Sequence, residues 1–178
     1  MLTVAPPDLE EARSNATFEA LMWSMARPGE QRELAEPGLA PIIEAFLDLE
    51  CTAYADDAEL AGLIARTGAE RAEALVDADH VFLAQLDGLA ELEALNCGSG
   101  LYPDDGATLV VAAAIGQGQR LRLSGPGIEG TRQIALGLPA AFWALRQKLC
   151  AYPQGFELFV VDGRAVIGIP RSTQVEVL

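Results

Sequence analysis

The chain is short of the residues on which most side-chain chemistry is built. Its 178 residues include one histidine, His80, and one lysine, Lys148. A Ser-His-Asp triad would have to be built on His80, and no Gly-x-Ser-x-Gly nucleophile elbow is present. Arithmetic excludes a multi-histidine metal site, and no motif arranges oxygen ligands for an all-carboxylate one. His80, immediately before an apolar run, reads as structural. Schiff-base chemistry needs a desolvated lysine in a pocket. Lys148 falls near a helix C-terminus instead, where a cation complements the macrodipole. No catalytic residue, metal ligand or cofactor site is therefore assigned.

Cysteine is also scarce. Cys51, Cys97 and Cys150 are far apart and odd in number, which fits neither a disulfide framework nor a CxxC metal knuckle. They read as inert thiols, with Cys97, in a Gly/Ser loop, the one position where a reactive thiol could sit. No hydrophobic run approaches the roughly 18 residues of a membrane helix. The opening MLTVAPPDLEEARSN lacks a basic segment followed by an apolar one, so a cytoplasmic protein is the expectation. Positive charge is in short supply as well. The net charge of −14 argues against a nucleic-acid binder, which needs a basic face. The deficit is uneven. Residues 1–119 hold five arginines against 22 acidic side chains, whereas residues 120–178 hold seven basic against four acidic ones. An anionic small molecule, if bound, should prefer the C-terminal third.

What is present is enough apolar sequence for one α/β domain covering 1–178, a mixed sheet flanked by helices. Residues 1–13 read as a loosely held arm. A first helix starting near Ser14 or Asn15 places Phe18, Leu21, Met22 and Met25 on one face and ends at Pro28-Gly29. A second helix spans about 40–48, with Ile42, Ile43, Phe46 and Leu47 inward. Residues 51–55 are β-prone, Asp56-Asp57 caps a third helix through Leu60 and Ile64, and Val81–Ala84 reads as a buried strand. Leu86–Leu95 is a short helix or an irregular acidic segment. A helix from Leu138-Pro139 carries Phe142, Trp143, Leu145 and Leu149. Asp162-Gly163 between two apolar runs predicts a two-residue hairpin. Pro170 ends its second strand, and a short tail follows.

The stretch Gly106–Gly130 is the centre of this reading. Seven apolar residues, Leu109–Ile115, read as a strand buried on both faces. A tight Gly116-Gln117-Gly118 turn then leads to a hairpin partner, in which Leu121 and Leu123 face one side and Arg120 and Arg122 the other. Two loops could meet a phosphate-like group or a partner: Ser124-Gly125-Pro126-Gly127 beside Arg122, and Pro170-Arg171-Ser172-Thr173. Arginine matches such oxygens bidentately. The contact residues are thus Arg122, Ser124, Gly125, Gly127, Arg171, Ser172 and Thr173.

Several segments together resemble the PhnH family, the H subunit of the bacterial carbon–phosphorus (C–P) lyase system that breaks down organophosphonates. They are Phe18 through Met25-Ala26-Arg27-Pro28-Gly29, Asp105–Val110, Leu121–Ile128, Tyr152-Pro153-Gln154-Gly155 with the strand after it, and Ile169–Thr173. Tyr152 stands where the family more often has phenylalanine, and Ser172 where threonine is commoner. The resemblance implies a fold related to the pyridoxal-phosphate-dependent transferases but without the cofactor. It implies a homodimer working with the G, I and J subunits. That complex attaches a phosphonate to the ribose of ATP, displacing adenine, and later cleaves the C–P bond. It assigns no chemistry to the H subunit itself. The rival readings are a stand-alone phosphonate- or nucleotide-binding enzyme and a retained pyridoxal-phosphate binder using Lys148.

Overall fold

The computed structural model describes residues 8–178. Four apolar runs form the parallel centre of a seven-stranded sheet: β2 (Thr52–Ala55), β4 (His80–Leu83), β5 (Thr108–Ala112) and β8 (Glu157–Asp162). Two-residue strands lie at its edges, β1 (Arg32–Glu33) and β3 (Glu70–Arg71), and β9 (Ala165–Ile169) runs antiparallel to β8. The order is β1-β9-β8-β5-β4-β2-β3. Alternation along the strands divides the core in two. Val110, Phe82 and Phe159 face α1 (Leu9–Ala26), α2 (Ala40–Phe46) and α3 (Ala58–Thr67). Leu109, Val111, Leu158 and Val160 face the opposite side. Both sides are fully covered, which is why β5 and β8 read as unbroken apolar runs.

The second cover is itself a sheet. β6 (Ile115–Ser124) pairs antiparallel with β7 (Arg132–Leu136) and with β10 (Gln174–Val177). Leu121, Leu123 and Leu136 reach from it into the core, joined by Phe142 and Trp143 of α4 (Ala140–Leu149). The expected mixed α/β domain is thus a large sheet between a helical layer and a layer made of a small sheet plus α4.

Several local expectations are corrected. The expected hairpin across Gly116–Gly118 does not form. Ala113-Ala114 carries the chain out of the large sheet, and Ile115–Ser124 is one strand of the small sheet. Gly116-Gln117-Gly118 lies inside that strand, at a register shift where Ile115 and Gln119 both face Leu136. The predicted faces of its second half hold: Leu121 and Leu123 are buried, while Arg120 is exposed and Arg122 partly so. The hairpin near Asp162-Gly163 forms one residue later, with Asp162 paired to Ala165 and Gly163-Arg164 in the turn. The terminal tail is a paired strand, β10.

The first helix starts at Leu9 rather than at Ser14 or Asn15. Asp8 caps it by accepting from the backbone N–H groups of Glu10 and Glu11, and the Glu11 carboxylate accepts from the Asp8 backbone N–H. The expected arm is therefore helical from residue 9, and its first seven residues lie outside the described ones. The buried face of the helix is Thr17, Ala20, Leu21 and Ser24, with Phe18 and Met22 half-exposed. The physical reason is close approach. A Cβ added to Gly168 of β9 would come within 2.8 Å of the Ser24 backbone and of the Met25 sulfur. The helix lies so near β9 there that the contact takes Ser24 on one side and a glycine on the other.

Candidate functional site

α4 starts after Pro139, which serves as its N-cap with φ already fixed near −68°. Its inward stripe is Phe142, Trp143 and Arg146. A guanidinium on an apolar stripe is unusual, and Arg146 is only 3% exposed. Its Nη2 donates to the Pro170 carbonyl at 2.7 Å and its Nη1 to the Thr173 carbonyl at 3.2 Å. The arginine thereby holds the loop between β9 and β10. Its Nε is buried without a partner. Among the described residues no carboxylate comes within 4.0 Å of it. Burial pushes its pKa down, and the neighbouring Cys150 and Glu157 pull it partly back. A guanidinium stays protonated in a protein, so the charge remains.

The two arginines that the sequence offered behave differently. Arg171 is clamped: its Nε donates to Glu157 Oε1 at 2.5 Å, its backbone N–H to Glu157 Oε2 at 2.9 Å, and its Nη1 to the Pro103 carbonyl. Arg122 pairs with Glu176 across β6 and β10 at 2.7 Å, in the open. Both cations are matched, whereas Arg146 is not. Sequence reading passed over Arg146, although a signal was there: a charge three and four residues after Trp143 and Phe142 shares their helix face.

The two candidate loops do come together. Ser124 lies opposite Gln174 in the β6–β10 pair, and a Cβ on Gly125 would sit 3.1 Å from the Ser172 carbonyl oxygen. Gly127 belongs to packing: at φ +80° its added Cβ would be 2.4 Å from the Ala26 carbonyl oxygen at the end of α1. Thr173 is buried, and Arg171 and Ser172 are partly buried. Between α4 and β10 runs a groove of about 550 Å³ that includes Arg122, Ser124, Trp143 and Gln147. It adjoins a cavity of about 220 Å³ lined by Trp143, Arg146, Cys150, Arg171, Ser172 and Thr173, among others. Residues Trp143, Gln147, Gln174 and Val175 belong to both.

A separate pocket of about 300 Å³ adjoins the C-terminal ends of β2 and β4, where open α/β sheets often bind ligands. Asp56, Asp87 and Glu91 line it, which suits no anion. The Asp56 carboxylate already accepts from the Ala84 backbone N–H at 2.9 Å.

The remaining titratable candidates are structural. The His80 ring lies 5.6 Å from Phe46 and 6.5 Å from Phe82, and burial lowers its pKa against the pull of Asp79 and Asp48. Lys148 is exposed in the last turn of α4 and reaches Glu93 at 3.9 Å. The Cys97 thiol faces the Leu95 carbonyl at 3.4 Å, and burial pushes its pKa up, away from a reactive thiolate. No described helix is long and apolar enough to cross a membrane.

Comparison with known proteins gives the family. A family model described as bacterial phosphonate metabolism protein (PhnH) matches residues 9–176. A Stutzerimonas stutzeri protein named as a C-P lyase subunit, HtxG, is 33% identical over 172 residues, covering 92% of this chain and 86% of its own length. A Rhizobium meliloti protein is named alpha-D-ribose 1-methylphosphonate 5-triphosphate synthase subunit PhnH. It is 40% identical over 80 residues, covering 42% of this chain and 39% of its own. With its residues 9–176 matched to that family and 92% of its length aligned to a relative, the chain belongs to the PhnH family of bacterial phosphonate metabolism proteins.

Proposed function

We propose that this chain is a subunit of a C–P lyase core complex in organophosphonate catabolism. It supports the transfer of a phosphonate to the ribose of ATP and is not catalytic alone. The observation that carries the reading is the near full-length match to the PhnH family and to a relative named as a C–P lyase subunit. The name of the Rhizobium meliloti relative supplies the ribose 1-phosphonate 5-triphosphate step. The partners in this reading are the G, I and J subunits and a second copy of the chain, in the cytoplasm. Kinship of the fold to the pyridoxal-phosphate-dependent transferases belongs to the same proposal.

The geometry supports a supporting role. His80 is packed among aromatic rings, Lys148 is open to solvent, and the cysteines are free and half-buried. His80, Lys148, Cys97 and Cys150 are not set against a second group in the way a nucleophile and its base must be, and the Cys51 thiol, which donates to Asp48 Oδ1 at 3.4 Å, has its pKa pushed up by burial, away from a reactive thiolate. Exposed apolar side chains on α1, Phe18 and Met22, offer a surface to a partner. The test is genetic. The chain should restore growth on methylphosphonate as phosphorus source to a strain lacking its H subunit. Growth that stays absent while the chain is expressed and folded contradicts the proposal.

A further inference from the structure

The cavity beside Arg146 concentrates three polar groups that lack partners. Arg146 Nε, the Thr173 hydroxyl and the indole N–H of Trp143 are each buried with no hydrogen-bond partner. The three residues are each 3% exposed, and all line the same cavity of about 220 Å³. Buried polar groups are nearly always paired, so three orphans around one cavity need an explanation. All three can donate, and one carries a full positive charge. Nearby Arg171 is already neutralised by Glu157, so the excess charge of the cluster is that of Arg146.

The geometry points to this cavity as a binding site for a tetrahedral oxyanion, a phosphonate or phosphate group, attracted by Arg146 and held by the hydroxyl of Ser172. That the class is phosphonate or phosphate rests also on the function proposed above; that it is an anion rests on the cavity alone. The shape of the donor set favours a tetrahedral group. Arg146 spends an N–H of each terminal nitrogen on a main-chain carbonyl and its Nε is closed off, so it presents no open bidentate edge to a planar carboxylate. What remains toward the cavity are separate donors, the Gln147 amide on α4 and the Ser172 hydroxyl on the β9–β10 loop, which suit an ion with three equivalent oxygens. The unpartnered atoms are closed off from solvent, so the guanidinium acts partly through its field, little screened in the protein interior. The adjoining groove of about 550 Å³ provides room for whatever the oxyanion is attached to.

Isothermal titration of the full chain at low ionic strength tests the site, with methylphosphonate, inorganic phosphate and acetate as probes. Saturable heat with both phosphorus oxyanions and none with acetate at equal concentration is the expected result. Arg146→Gln should weaken methylphosphonate binding by about tenfold or more, equivalent to ~1.4 kcal/mol. Arg146 also braces a loop, so two further variants guard against misfolding. Arg146→Lys keeps the charge and should bind within a few-fold of the parent. Gln174→Glu places a negative charge at an exposed strand position on the cavity wall and should weaken binding several-fold while melting like the parent. No saturable heat with any probe, acetate binding as tightly as phosphate, or undiminished binding by Gln174→Glu would overturn the site. The proposed function fails separately: it falls if phosphonate growth is not restored, whatever the titration shows.

Discussion

The guanidinium of Arg146, buried on the inner stripe of α4, donates to the carbonyl oxygen of Pro170 at 2.7 Å across the gap to the β9–β10 loop. A second bond reaches the Thr173 carbonyl. The loop that sequence analysis offered as a contact surface is thus shaped from within by an arginine on another element. Replacing Arg146 by methionine keeps much of its volume but leaves two carbonyls without donors. Each such loss costs about 1–3 kcal/mol, and removing an uncompensated buried charge offsets part of it. A net loss of about 2 kcal/mol in guanidinium denaturation is expected. Unchanged stability would mean that the loop holds itself.

The two arginine–carboxylate pairs should differ sharply in worth. Arg171–Glu157 is largely buried, with side chains 16% and 22% exposed. Arg122–Glu176 is open, at 40% and 60%. A double-mutant cycle on the first pair should give a coupling energy above ~1 kcal/mol. The same cycle on the second should give about 0.5 kcal/mol or less, vanishing in salt. Equal couplings would contradict the burial contrast.

His80 predicts a pH dependence. Burial holds its folded-state pKa below the ordinary 6.5, so the unfolded chain binds the proton more readily. Stability should therefore be full above about pH 6.5 and fall as pH drops from there toward the lower folded-state value. His80→Phe retains the ring contacts with Phe46 and Phe82 and removes the buried, unpartnered Nδ1. Thermal melts of this variant should be flatter across that window and no less stable at neutral pH. A parent protein whose melting is flat from pH 7 to pH 5 would contradict the assignment.

Phe18 and Met22 stand one turn apart on α1 and are 53% and 49% exposed. Substituting both by serine should leave the thermal midpoint nearly unchanged, because neither is core. If this face meets a second copy or another subunit, the double variant should elute at a lower mass in light scattering, or lose its partner on co-purification. A large drop in stability with intact association would instead make them packing residues.

Much of the architecture was legible in the sequence. Ile42 and Ile43, the β4 run and Phe142 and Trp143 of α4 were placed by periodicity, and the hairpin near Asp162-Gly163 was placed to within one residue by turn chemistry. The failures have one physical character: they concern which element a segment meets. Leu21 is buried as expected, but a glycine 144 residues beyond Ser24, Gly168, lets the helix approach so closely that Ser24 faces the sheet while Phe18 and Met22 stay half-exposed. Gly116–Gly118 looks like a turn because local rules cannot see the second sheet, which β10 completes from the far end of the chain. The site was half legible. Ser124, Gly125, Ser172 and Thr173 proved neighbours, and Arg122 and Arg171 proved neutralised. Arg146 was hidden because its role depends on carbonyls 24 and 27 residues away.

The central claim, that this is a working subunit of a phosphonate-processing complex, is tested most directly by co-purification. The full chain would be tagged and expressed together with the G, I and J subunits of a C–P lyase system, then isolated and its companions identified by mass. A stable assembly holding all three in fixed proportion and surviving gel filtration is the expected result. A tagged chain that folds, yet emerges alone or as a simple dimer with all three subunits present in the lysate, would contradict it.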